Sequence, residues 1–186
     1  MRRIMLAVMM ALLFAAAADA APILKEQSRL AFVSRQMGVP VEGGFKRFDA
    51  EIDFDPKDTK KSRASITIYI DSIDAGSEEA STEIKRRPWF DAKNHPKAEF
   101  VSTSLVPLGA GRYRVSGNMT IKGRTRPASS EFVVRDRGAF RVFEGKFILK
   151  RLDFAVGEGA WSDTGTVADE IEVSYLLSVH FQGAKK

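Results

Sequence analysis

From Ser28 to Phe181 apolar and polar residues alternate with a period of two, broken at regular intervals by turn-forming residues. That period predicts strands with one buried and one wet face. In GFKRFDAEIDFD, residues 44–55, Phe48, Ala50, Ile52 and Phe54 alternate with Asp49, Glu51 and Asp53. RASITIYID, residues 63–71, repeats the pattern and is predicted to pair with it across the polar turn DPKDTKKS. RYRVSGNMTIKG, residues 112–123, follows the turn signal Gly109-Ala110-Gly111. With SRLAFVSR, AEFVSTSL, SSEFVVR, FRVFEGKFILKR and EIEVSYLLSVHF the predicted strands number eight. One stretch breaks the rhythm. SEEASTEIKRRPWF, residues 77–90, is helical in composition, with Ser77 as N-cap, acids in its first turn and Pro88 near its stop.

Eight alternating antiparallel strands predict an all-β domain with a short helical insertion. It is either a sandwich or a closed barrel that leaves no exposed edge. A barrel of that size can hold one small ligand. The side chains expected to face inward are Phe48, Phe54, Ile66, Ile68, Phe90, Phe100, Tyr113, Met119, Phe132, Phe147, Val173 and Leu177. Gly117 and Gly145, inside strands, either let the strands bend or leave space for a guest. The same faces are equally able to fill each other, and periodicity leaves both arrangements open.

Ahead of this domain, Arg2 and Arg3 precede an apolar run from Ile4 to Ala18 and the small-x-small pattern Ala18-Asp19-Ala20. This is the pattern of a secretory signal peptide over residues 1–20, leaving a domain over 21–186. Its apolar run is shorter than the roughly 20 residues of a membrane helix, so no transmembrane span is expected after cleavage. Loss of two arginines and one aspartate would lower the formal charge of +5 by one, a mild excess and not a nucleic-acid signature. The absence of cysteine fits a bacterial envelope better than a eukaryotic extracellular space.

Candidate chemistry is sparse. Asp91 and His95 would share a helical face, but Pro96 biases His95 toward a turn. His180, the only other histidine, should point outward from the last strand, and no metal site is expected. Gly157 and Gly159 begin a dinucleotide-like pattern that lacks its third glycine and its helix. Neither a cofactor nor catalysis is therefore expected.

The stretches FVSRQMGVPVEGGFKRFDAEIDFDP, IDSIDAGS, WFDAKNHPKAEFVSTS, RYRVSGNMTIKGRTRP and FILKRLDFAVGEGAWSD, in that order, resemble the YceI-like family of lipocalin-shaped polyisoprenoid-binding proteins. The resemblance implies an eight-stranded lipocalin-like barrel with a helix alongside. It also implies a secreted or periplasmic protein enclosing a long isoprenoid or other amphiphilic lipid. Taken with the export pattern and the alternating strands, the expectation is a monomeric or homodimeric periplasmic protein that sequesters or transports such a lipid without changing it, with a quinone, a polyprenyl phosphate or a fatty acid as candidates. Arg35, Arg151 and Trp161 are candidates to orient a polar head at the pocket mouth. Many relatives carry histidine where this chain has Gln36, which leaves the ligand's identity open. The alternative is an exported structural or stress-related interaction protein whose barrel its own side chains fill.

Overall fold

The structure is a computed structural model that describes residues 21–181, so the signal peptide expected over 1–20 lies outside the described residues. The described chain is built from β1 (Ala21–Pro22), β2 (Arg29–Gln36), β3 (Val39–Phe45), β4 (Phe48–Asp53), β5 (Arg63–Tyr69) and β6 (Ile73–Asp74). Helix α1 (Glu78–Glu83) follows, then β7 (Lys97–Gly109), β8 (Arg112–Ile121), β9 (Arg124–Arg137), β10 (Phe140–Lys150) and β11 (Glu170–His180). All pair antiparallel in one sheet, in the order β1-β4-β5-β7-β8-β9-β10-β11-β2-β3-β6.

The expected eight-stranded barrel is thus a curled sheet of eleven strands, a half-barrel. The eight strands marked by alternation are β2, β4, β5 and β7 to β11. Two of the others, β1 and β6, are two residues long, too short to display a period. The third, β3, reads VPVEGGF, whose proline and paired glycines carry no strand signal. Residues 21–24 also bring the two flanks of the curl together. The Ile23 N–H donates to Ala50 of β4 at 3.1 Å, and the Leu24 N–H to Ser178 of β11 at 2.7 Å.

Residues 44–55 are not one strand. Phe45 closes β3, which pairs with β2 and β6, and Phe48 opens β4, which pairs with β5. At the corner between them the Lys46 and Arg47 N–H groups donate to the Ser72 carbonyl and hydroxyl oxygens, at 3.1 and 3.0 Å. The β4–β5 pairing expected across DPKDTKKS is present, with Phe48 opposite Ile68 and Ile52 opposite Ala64.

The helical expectation over 77–90 also shortens. Ser77 caps the helix as expected, its Oγ accepting from the Ala80 N–H at 3.1 Å, but α1 ends at Glu83. From there the chain reaches Phe90 through tight turns, with the Trp89 N–H donating to the Arg86 carbonyl at 3.0 Å. No helix among the described residues is long and apolar enough to cross a membrane.

Candidate ligand-binding cavity

Strand alternation sends every second side chain of the curled sheet toward its concave side. Those side chains do not meet across the middle. They enclose a cavity of about 510 Å³, within the range of small-molecule sites. Eleven of the twelve side chains expected to face inward lie on its wall: Phe48, Phe54, Ile66, Ile68, Phe90, Phe100, Met119, Phe132, Phe147, Val173 and Leu177.

Tyr113 is the exception. It points to the concave side, but at one end of the molecule, where it stacks on Phe132 (ring centroids 5.7 Å apart) and meets Phe54 edge-on at 5.1 Å. Phe143 completes this aromatic floor, 5.3 Å from Phe54. Beneath it the Arg141 guanidinium lies 3.8 Å from the Phe181 ring centroid and is held by Asp136 at 2.6 and 3.0 Å. Tyr113 therefore packs beyond the end of the cavity and is not part of its wall.

Arg151 follows the far end of β10, ten residues from Arg141 and so about 30 Å along the strand. It is 2% exposed. All five of its N–H groups donate to backbone carbonyls: Nε to Ala168, Nη1 to Val156 and Gly157, and Nη2 to Trp161 and Val167, at 2.7–3.1 Å. Burial lowers its pKa from the ordinary arginine value, and the Asp169 charge opposes that shift. The guanidinium borders the cavity but has no donor left for a ligand head, so its role is to staple residues 156–168. Gly157, at φ +85°, passes so close that a Cβ there would lie 2.2 Å from Arg151 Nη1 and 3.0 Å from Trp89 Cζ3.

Arg35 does not reach the cavity. Its neighbours Ser34 and Gln36 do, so alternation turns Arg35 outward, where it is exposed and Nη1 reaches only the Gly38 carbonyl at 3.5 Å. That result was available from the sequence: Leu30 and Phe32 are the buried face of β2, and even-numbered positions continue it. Trp161 does border the cavity, its ring centroid 5.2 Å from that of Trp89. Exposed Gln36, Ser77 and Glu79 on the same wall mark an opening between the β2–β3 hairpin and α1.

Apart from the Trp89 indole N–H, which has no partner, the polar groups deep in the wall bond to one another or to the backbone. Tyr175 donates to Ser130 Oγ at 2.9 Å, and burial pushes its pKa up to about 12. Ser102 Oγ accepts from the Ala64 N–H at 2.8 Å, and Ser62 Oγ from the Asp55 N–H at 3.0 Å. The room left by two strand glycines is taken by neighbours: a Cβ on Gly117 would meet Phe100 Cζ at 2.6 Å, and one on Gly145 the Tyr175 hydroxyl at 2.5 Å.

Asp91 to His95 form a turn, with the His95 N–H donating to the Asp91 carbonyl at 2.8 Å. The Asp91 carboxylate accepts from Asn94 Nδ2 at 2.9 and 3.1 Å. His180 is exposed, as its place in β11 requires. Among the described residues no three His, Cys, Asp or Glu side chains converge on a point where a metal could sit.

Residues 22–179 match the model of the YceI-like domain. UPF0312 proteins of Ectopseudomonas mendocina and Serratia proteamaculans are each 30% identical to the chain, over 74% and 77% of it and 72% and 74% of their own length. Among solved structures it is similar to BcnA of Burkholderia cenocepacia, with a TM-score of 0.82 and 38% identity over 84% of this chain and 99% of that one. A polyisoprenoid binding domain from Saccharophagus degradans, implicated in plant cell wall breakdown, has a TM-score of 0.70 at 15% identity, over 87% of this chain and 98% of its own. That second likeness is one of fold.

Proposed function

The chain belongs to the YceI-like domain family, and from that membership we propose that it is a non-catalytic protein that sequesters or carries an isoprenoid-like lipid, or another amphiphile, in its cavity. The observation that carries the reading is the cavity itself. A sheet whose concave face is apolar from β4 round to β11 would close on itself if it served only as a core, yet it leaves about 510 Å³ between its walls. The polyisoprenoid binding domain from Saccharophagus degradans shares this fold. The export pattern of residues 1–20 supports a periplasmic site of action.

Apolar contact sets the affinity in this account. At about 0.8 kcal/mol per buried methylene, a five-carbon isoprene unit contributes on the order of 3–4 kcal/mol. Two or three units reach micromolar affinity after the cost of immobilisation. Calorimetric titration of delipidated protein with geranylgeraniol is the test. One-to-one binding with a negative heat-capacity change, the mark of apolar burial, is expected. A protein that takes up neither geranylgeraniol, nor a quinone, nor palmitate would overturn the proposal and favour a core filled by its own side chains.

A further inference from the structure

The last rung between β9 and β10 pairs Glu131 with Lys146. Both strands run on past it, β9 over 124–130 against β8 and β10 over 147–150 against β11, yet they no longer pair with each other. Two adjacent strand edges left unpaired are costly, because their N–H and C=O groups go without partners in the sheet. Here β9 also carries Pro127, which has no N–H to give to a ladder. The sheet is therefore slit between these strands for about 13 Å, from Lys146 to Lys150 at roughly 3.3 Å per residue.

The slit opens into the cavity. In the other strands, wall residues away from the strand ends fall at every second position or wider, whereas Ala128, Ser129 and Ser130 of β9 line the wall consecutively. Ser129 is exposed, on the face that alternation turns outward, and reaches the cavity because β10 does not cover that edge. Across from it stand Phe147 and Leu149, half-buried on the wall, and Ile148, 54% exposed on the outer face. Exposed Arg126 and Lys150 flank the far end. The lips themselves are mainly apolar, whereas the opening beside α1 is lined by Gln36, Ser77 and Glu79.

Side chains tie both ends of the slit. At the fork Ser130 Oγ accepts from the Tyr175 hydroxyl at 2.9 Å and shares its own proton between the Glu131 and Lys146 carbonyls, at 3.3 and 3.2 Å. Beyond the end of β10, Lys122 Nζ, from the turn between β8 and β9, donates to the Ala155 carbonyl at 2.7 Å and to Glu158 Oε2 at 2.8 Å. Between these ties no β9–β10 rung has to break for the lips to part.

We propose that this slit is a side portal of the cavity: the apolar chain of the ligand enters and leaves between β9 and β10, without passing the polar opening beside α1. This rests on the lipid-binding reading above and adds the route of exchange.

The chain has no cysteine, so Ser129→Cys combined with Ile148→Cys, opposite each other when the register is continued across the slit, supplies a single pair of thiols. A short bis-methanethiosulfonate bridges them and tethers the lips, and dithiothreitol releases them. Uptake of geranylgeraniol and its release to excess cyclodextrin are followed by the fluorescence of Trp89 and Trp161, both on the wall. Both rates are expected to fall roughly tenfold or more in the bridged form and to recover on reduction. The same bridge between Lys146→Cys and Ser174→Cys, across the paired β10–β11 ladder and off the wall, should change neither rate. Ser130→Ala, which unties the fork, should raise both.

Rates untouched by the bridge across the slit, or slowed as much by the β10–β11 bridge, would overturn the portal. Unaltered rates in Ser130→Ala would overturn it as well. Each of those outcomes leaves lipid binding standing. Failure of the wild type to take up geranylgeraniol at all would remove the lipid-binding reading and the portal together.

Discussion

Replacing Arg151 by methionine isolates the staple at the α1 end of the cavity. Methionine keeps the length and the apolar stem but removes all five donors, leaving the carbonyls of Val156, Gly157, Trp161, Val167 and Ala168 without them. Hydrogen bonds to a charged group contribute about 1.5–3 kcal/mol each, so five represent roughly 8–15 kcal/mol before any offset. Burying the guanidinium itself costs several kcal/mol, which the variant recovers. The net loss expected is about 4 kcal/mol, in the range for breaking a buried charged contact. At about 2–4 °C per kcal/mol for a domain of this size, Tm should fall by about 8–16 °C. Calorimetric melting reads this directly. Hydrogen exchange should also quicken across residues 156–168, where the chain is tied down by that side chain. A variant melting within about 2 °C of the wild type, with exchange unchanged, would refute the account of Arg151 as the staple.

Tyr175 gives a pH-dependent prediction. Burial holds its phenol protonated up to about 12, whereas the unfolded chain releases that proton near the ordinary value of 10.0. Its contribution is therefore complete below pH 10 and is lost as pH rises toward 12, by about 2–3 kcal/mol across the window. Urea unfolding at pH 9 and pH 11.5 should show a steeper decline for the wild type than for Tyr175→Phe, and equal slopes would contradict the assignment. Ala128→Trp, at a small side chain on the wall, should displace about one isoprene unit and weaken geranylgeraniol binding roughly a hundredfold with Tm nearly unchanged; undiminished binding would place the ligand elsewhere. N-terminal sequencing of the exported protein should begin at Ala21, and an intact Met1 would instead indicate a retained N-terminal anchor.

Periodicity reveals which face of a strand is buried, and this is why the cavity wall was largely legible. Phe48, Ile68, Phe100, Met119 and Leu177 each sit two residues from another inward side chain in an unbroken pattern. The pattern does not say how far along the molecule the hollow extends, so Tyr113 and Phe132, opposite each other in register, were indistinguishable until the floor was seen. The β3–β4 corner was hidden because Phe45 and Phe48 both read as apolar strand residues while the chain changes partners between them. Arg151 defeats sequence reasoning altogether. Its acceptors are main-chain oxygens of residues whose identity hardly matters, so nothing in the sequence distinguishes it from an exposed arginine at a strand end. Trp89 shows in the sequence only as an aromatic near the end of SEEASTEIKRRPWF, whereas its unpaired N–H depends on what every neighbour fails to offer.

Native mass spectrometry of the protein released gently from its own cell envelope tests lipid binding most directly. The account predicts a population heavier than the mature polypeptide by the mass of one lipid, released on collisional activation and bearing at least two isoprene units or an equivalent apolar chain. A homogeneous polypeptide mass, from protein that also stays unchanged after incubation with geranylgeraniol, would contradict it.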